Sequence, residues 1–193
     1  MRIIAGDFRG RALTSVGKGD AGAHLRPTTD RVRESLFNVL NHQIDFDGLQ
    51  VLDLFAGTGA LGLEALSRGA SHVTFVDDGR VAQGLIRKNI GLTGSASQAT
   101  LIRRDATRLG ENPGAVCDLV FLDPPYGKAL GQRALAAATQ GGWLSDDALI
   151  VWEESTPMLA PEGFTLHDTR KYGDTHISLM WRTGGCDARS GYL

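Results

Sequence analysis

The sequence predicts an α/β fold on one mostly parallel sheet, and three observations carry that reading. Short apolar runs alternate with amphipathic segments from Leu49 to the run ALIVWEE, which ends at Glu154. Buried parallel strands covered by helices on both faces read this way. The first run leads into DLFAGTGALG, residues 53–62, whose glycines mark a strand–turn–helix passage. Four runs in succession end in an aspartate, and ligands of open α/β sheets gather outside the carboxyl ends of the strands.

With 193 residues the chain has room for one full core and is short for two. One domain is expected, with a basic hairpin-and-helix extension (1–45), an α/β core (49–182) and a fraying tail (184–193). Hydrophobic residues at 42% and charged residues at 22% match globular composition and exclude wholesale disorder. A net charge of −2 argues against a protein that coats nucleic acid indiscriminately, but leaves room for a local basic surface. Cys117 and Cys186 form no C-x-x-C pair and the five histidines are scattered, so no metal is expected. The N-terminus has no apolar signal region and no window approaches a membrane span; a cytoplasmic monomer is the default expectation.

The elements follow in order. RIIAG and RGRALTSV, around Asp7 and Phe8, read as a short hairpin, and GKGDAGAH as a loop. A helix begins near Asp30, with Thr28, Thr29 or Asp30 as N-cap and Val32, Leu36, Phe37, Val39 and Leu40 on its apolar face. LQVLDLF is a strand, ALGLEALSRG a helix closed by Gly69, HVTFVD a strand and RVAQGLIRKNIGL a helix. ATLIRRD and CDLVFLD are strands, GQRALAAATQGG a helix and ALIVWEE a further strand. FTLHDTRKYG and THISLMWR form a closing hairpin around Gly173 and Asp174. Trp143, Trp152 and Trp181 lie in or beside apolar runs and are expected in the core.

Asp53, Asp77, Asp105 and Asp123 close the first four strands and should converge on one rim. Gly57, Gly59 and Gly62 satisfy G-x-G-x-x-G, with Asp77 twenty residues after Gly57, so an NAD oxidoreductase stays open on the glycines alone. A pyrophosphate needs the helix N-terminus and close backbone approach. S-adenosylmethionine carries a sulfonium and an ammonium instead, and Asp53 would place a negative charge beside the turn that suits those better. Asp77 would accept from ribose hydroxyls under either reading, and Asp105 from an adenine amino group.

LVFLDPPYG, residues 119–127, decides between them. Two prolines remove backbone donors and leave carbonyls aimed into the cleft. Asp123 and the Pro124 carbonyl offer acceptors for both hydrogens of an aromatic NH₂, and Tyr126 offers a stacking face. Gripping both N–H groups aims the amine lone pair at a methyl carbon, and such positioning is a large catalytic contribution. In an arbitrary loop DPPYG would be a turn. After the fourth strand of a glycine-turn sheet it points to methyl transfer.

Here the sequence resembles a known family. DPPY matches the [DNS]-P-P-[YFW] motif of methyltransferases acting on exocyclic amines, and DLFAGTGALGLEAL is similar to their cofactor loop. MRIIAGDFRGRAL, LRPTTDRVRESLFNVL and KYGDTHISLMW extend the likeness over roughly residues 1–182, to the bacterial 16S ribosomal RNA guanine-N2-methyltransferases, the RsmD family. The resemblance implies a Rossmann-like class I S-adenosyl-L-methionine-dependent methyltransferase. Its seven-stranded, mostly parallel sheet would end in an antiparallel C-terminal hairpin and carry the N-terminal extension. It implies methylation of a guanine N2 in 16S rRNA, within the small ribosomal subunit or its assembly intermediate. By motif position Asp53, Phe55, Gly57 and Gly59 would line the methionine and ribose side and Asp77 the ribose. Asp105 and Ala106 would flank the adenine, and Asp123, Pro124, Pro125 and Tyr126 would hold the target base. The run VDDGR departs from the family, which often has a further acidic or polar residue where Asp78 or Gly79 stands.

Seven basic against three acidic side chains precede residue 34. Arg9, Arg11, Arg26 and Arg31 are the candidates for RNA phosphate contacts, Arg31 equally for the cofactor carboxylate. The alternative activity is an N6-adenine methyltransferase on DNA or RNA, since DPPY serves both amines. A non-catalytic RNA-binding protein on a vestigial fold is the remaining rival.

Overall fold

A computed structural model describes residues 1–15 and 29–184. Met1 to Leu13 double back on themselves: Ile3 N–H donates to the Arg11 carbonyl and Leu13 N–H to that of Met1. Thr29 caps the first helix, α1 (Asp30–Leu40), by accepting the N–H of Val32. Leu36, Phe37 and Leu40 form its buried stripe, as their spacing predicts.

Seven strands follow: β1 (Gln50–Leu54), β2 (His72–Val76), β3 (Ala99–Ile102), β4 (Cys117–Leu122), β5 (Leu144–Glu154), β6 (Phe164–Tyr172) and β7 (Thr175–Arg182). Helices α2 (Ala60–Ser67), α3 (Arg80–Thr93) and α4 (Leu130–Gln140) connect them. The strands lie in the order β3-β2-β1-β4-β5-β7-β6. All pairs from β3 to β5 are parallel, and β7 runs antiparallel between β5 and β6. The closing hairpin is therefore inserted into the sheet, with its second strand inside and its first at the edge. Strand order reverses between β1 and β4, which opens a crevice at their carboxyl ends.

Each sheet face carries its own core. Leu36, Phe37, Leu63, Phe75, Ile86 and Phe121 join α1, α2 and α3 to one face. Leu52, Leu54, Leu122, Ala134, Leu135 and Trp152 join α4 to the other. Trp143 and Trp152 are buried and Trp181 packs at the core margin, as their apolar context predicts.

The extension is stitched to α2 by buried polar groups. Glu64, fully buried, accepts the N–H groups of Ile4 and Ala5 and pairs with Arg68 at 2.9 Å. Ser67 donates to the Ala5 carbonyl and accepts from the Phe8 N–H. Asn89 of α3 binds Thr14 and, at 2.9 Å, the carbonyl of Thr58 in the glycine loop. The loop that would hold a cofactor is thus braced from below by the extension. Of the expected tail, 184–193, residues 185–193 lie outside the described residues.

Candidate active site

The chain leaves β1 by an abrupt reversal at Phe55, whose φ is 58°. A bulky residue in the left-handed region is an outlier, and such outliers cluster at functional sites. Gly57 and Gly59 follow with φ of 58° and 75°, a path that side chains resist. Gly62 does something else. It sits inside α2 (Ala60–Ser67), where an added Cβ would lie 2.5 Å from Phe75 and 2.7 Å from Val73. It is there so the helix can press on β2.

Asp53 corrects one expectation. Its side chain is only 2% exposed and its Oδ2 accepts the N–H of Gly62 at 3.0 Å, beneath the turn. Burial, with Asp77 nearby, pushes its carboxyl up to about 8. At neutral pH it is mostly protonated, so it holds α2 to β1 and lays no full negative charge on the turn.

Asp77, just past β2, accepts the N–H of Gly57 at 2.9 Å and of Gly79 at 2.8 Å, tying the glycine loop to the start of α3. Burial raises its carboxyl above the ordinary range. Gly79 therefore caps α3 without a side chain of its own, which is how the VDDGR run tolerates a glycine there. Asp105 caps a short 3₁₀ turn through the N–H and hydroxyl of Thr107, and that hydroxyl lowers its pKa. Ala106, beside it, is buried against Leu54 and Val76 on the α4 side.

β4 delivers DPPY into the crevice. Leu54 of β1 pairs with Leu122, so Asp123 is the first residue past the strand, and its N–H reaches the Leu54 carbonyl. Asp123 is partly exposed, Pro124 buried, Pro125 exposed and Tyr126 half-buried. Desolvation pushes the Asp123 carboxyl well above its usual value, and Glu153, Asp53 and Glu154 push it further. The Tyr126 hydroxyl donates to Glu153 Oε1 at 2.9 Å and lies 2.9 Å from Thr175 Oγ1. Its ring is thereby clamped by β5 and β7, and burial raises its pKa.

Glu153 and Thr175 were not singled out from the sequence. Glu153 ends an apolar strand as the four aspartates do, so the strand-end rule extended to ALIVWEE would have found it. Thr175 carries no such signal, because its role depends on β7 entering the sheet beside β5.

The basic candidates scatter. Arg9 is exposed near the turn of the extension. Arg11 donates to the Leu92 carbonyl at 2.8 Å, in the last turn of α3, where a cation suits the helix dipole. Arg31 lines an open groove with Glu34, Asn38, His42, Gln43 and Arg170, on the side of α1 facing β6. None of the residues lining that groove belongs to the glycine loop. Arg26 lies outside the described residues. Two positions on from Arg31, Arg33 points inward, fully buried against Asp30 and the Arg2 carbonyl. Among the described residues no group of three or more His, Cys, Asp or Glu is arranged to hold a metal, and no helix is long and apolar enough to cross a membrane.

This geometry has close relatives. The ribosomal RNA small subunit methyltransferase D of Escherichia coli K12 is 38% identical over 185 residues, covering 94% of this chain and 90% of that one. The protein of the same name from Haemophilus influenzae is 39% identical over 171 residues, 86% of each chain. The solved structure described as "putative methyltransferase yhhF" from Escherichia coli superimposes with a TM-score of 0.81 at 38% identity, over 95% of this chain and 98% of that one. A family model described as conserved hypothetical protein 95 matches residues 1–181. The chain belongs to that family, the RsmD family of Rossmann-like methyltransferases.

Proposed function

We propose that this protein transfers a methyl group from S-adenosylmethionine to the exocyclic N2 amine of one guanine in small-subunit ribosomal RNA. One observation carries the reading: DPPY stands at the carboxyl end of β4 beside the glycine loop of β1, with Tyr126 clamped by Glu153 and Thr175. The relatives' rRNA methyltransferase names support the polymer and the reaction.

The donor set fits that cofactor better than a dinucleotide. The ionisable neighbours that shift the Asp53 and Asp123 carboxyls are acids, with no basic side chain among them, so this end of the crevice offers a pyrophosphate no counter-charge. Bound S-adenosylmethionine supplies a methyl carbon on a positively charged sulfur, which becomes a neutral thioether once the methyl has moved. Phe55, Gly57 and Gly59 shape the backbone that faces it, Asp77 receives the ribose hydroxyls, and Asp105 and Ala106 border the adenine.

The chain's own residues prepare the nucleophile. Asp123 and the Pro124 carbonyl accept the two N–H groups of N2, while the clamped Tyr126 ring stacks on the base. Pro125 fixes the turn that aims the Pro124 carbonyl. The nitrogen that gains the methyl sheds a proton, and a carboxylate of raised pKa at Asp123 is suited to take it. The target nucleotide must be unpaired or turned out of its helix to reach this pocket. Arg31 and Arg170, in the groove beside α1, and Arg9, on the extension, supply cations for RNA phosphates.

Nucleoside mass spectrometry of rRNA from cells lacking the gene tests this. Loss of one N2-methylguanosine from small-subunit rRNA, restored by the wild-type gene, is expected. Loss of a methyladenosine instead would establish the adenine alternative.

A further inference from the structure

The parallel pairing of β4 and β5 ends at Leu122 and Trp152. Asp123, the first residue past β4, and Glu153, on β5, follow that last pair, and their carboxyls are near enough to repel one another. Asp53, paired with Phe121 on β4, is a further acid close enough to act on Asp123. Glu153 also holds the Tyr126 hydroxyl at 2.9 Å, so its carboxylate borders the stacking ring as well as the amine-gripping acid. Amine gripping by DPPY uses Asp123 and the Pro124 carbonyl and leaves this second carboxylate unexplained.

The ring atoms next to an exocyclic amine differ among bases. In adenine they are N1, an acceptor, and C5, which offers nothing. In cytosine they are N3, again an acceptor, and C5. Guanine alone places an N–H, at N1, beside its amine. An ionised carboxylate only accepts, so it attracts N1–H of guanine and repels the lone pair of adenine N1 or cytosine N3. Carboxylate oxygens beside one another thus match the paired N1–H and N2–H donors of the guanine edge.

We infer that Glu153 reads the N1–H of the target guanine and is the residue that makes this DPPY pocket select guanine over adenine. The inference rests on the methyl-transfer reading above and adds the residue that sets base choice. Asp123 and Pro124 hold the amine, Glu153 identifies the ring that bears it, and its bond to Tyr126 fixes both in one frame.

The test uses the full-length protein and small-subunit rRNA whose target position carries guanosine or, by ligation, 2-aminopurine riboside. The analogue keeps the N2 amine but has a bare acceptor at N1. Wild type should prefer guanosine by at least ~100-fold in kcat/KM, since a site built for an N–H rejects analogues lacking it. Glu153→Gln retains an oxygen for Tyr126 and offers an amide N–H to the bare N1, so the preference should fall by ~10-fold or more. Tyr126→Phe removes only the hydroxyl and should slow both substrates alike. S-adenosylhomocysteine affinity, measured by calorimetry, should be the same in wild type and Glu153→Gln. An unchanged guanosine preference in Glu153→Gln, or equal loss on both substrates, overturns the inference while leaving methyl transfer standing. Absence of guanosine methylation by wild type would instead overturn the reading beneath it.

Discussion

Asp53 is sealed under α2, where its carboxyl accepts the N–H of Gly62. With its carboxyl at about 8 against an ordinary value near 3.8, the folded state holds a proton that the unfolded chain releases. The stability contributed by Asp53 therefore falls as pH rises from about 4 to about 8 and is level above that. Asp53→Asn keeps an oxygen for the Gly62 N–H without the titration. Thermal melts should nearly coincide near pH 4, and the variant should melt at least ~4 °C higher at pH 8, since 1 kcal/mol shifts Tm by about 2–4 °C in a domain of this size. A constant gap across pH would show that the proton is not held there. Gly62 was read with the loop glycines because it completes the motif; only the packing of α2 on Phe75 separates its role from that of Gly57.

At the scale of elements, the strand–helix alternation was readable because each apolar run and each amphipathic stripe is local. The insertion of β7 between β5 and β6 was not, since a hairpin signal fixes a turn and not the edge it joins. The same holds for the extension's attachment. Glu64, Ser67 and Asn89 look like the polar faces of amphipathic helices, yet all three are buried and bind backbone from Ile4 to Thr14. Glu64→Ala would leave the N–H groups of Ile4 and Ala5 without their acceptor and take from Arg68 its carboxylate partner, leaving its guanidinium on the Asn41 side-chain oxygen. Loss of a buried ionic partner costs about 3–5 kcal/mol. Urea unfolding should show a loss in that range, with proteolytic cleavage in the first fifteen residues preceding cleavage of the sheet. A loss under ~1 kcal/mol would mean the extension is held by other contacts.

For the molecule as a whole, one sheet reversal brings together acids that are spread over a hundred residues of sequence. Asp53 and Asp123 were legible from their strand ends, and Tyr126 from the motif; what pins Tyr126 required the register of three strands. In the proposed mechanism Asp123 acts directly on the amine of a guanine. That action is tested by incubating the protein with small-subunit rRNA and methyl-tritiated S-adenosylmethionine, then identifying the labelled nucleoside. Wild type should yield N2-methylguanosine, with a rate that falls on acidification through a pKa above the usual carboxylate range. Asp123→Asn should keep measurable transfer without that acid limb, and Asp123→Ala should lose at least ~100-fold while still binding S-adenosylhomocysteine. Label in N6-methyladenosine, or full activity in Asp123→Ala, would contradict the account.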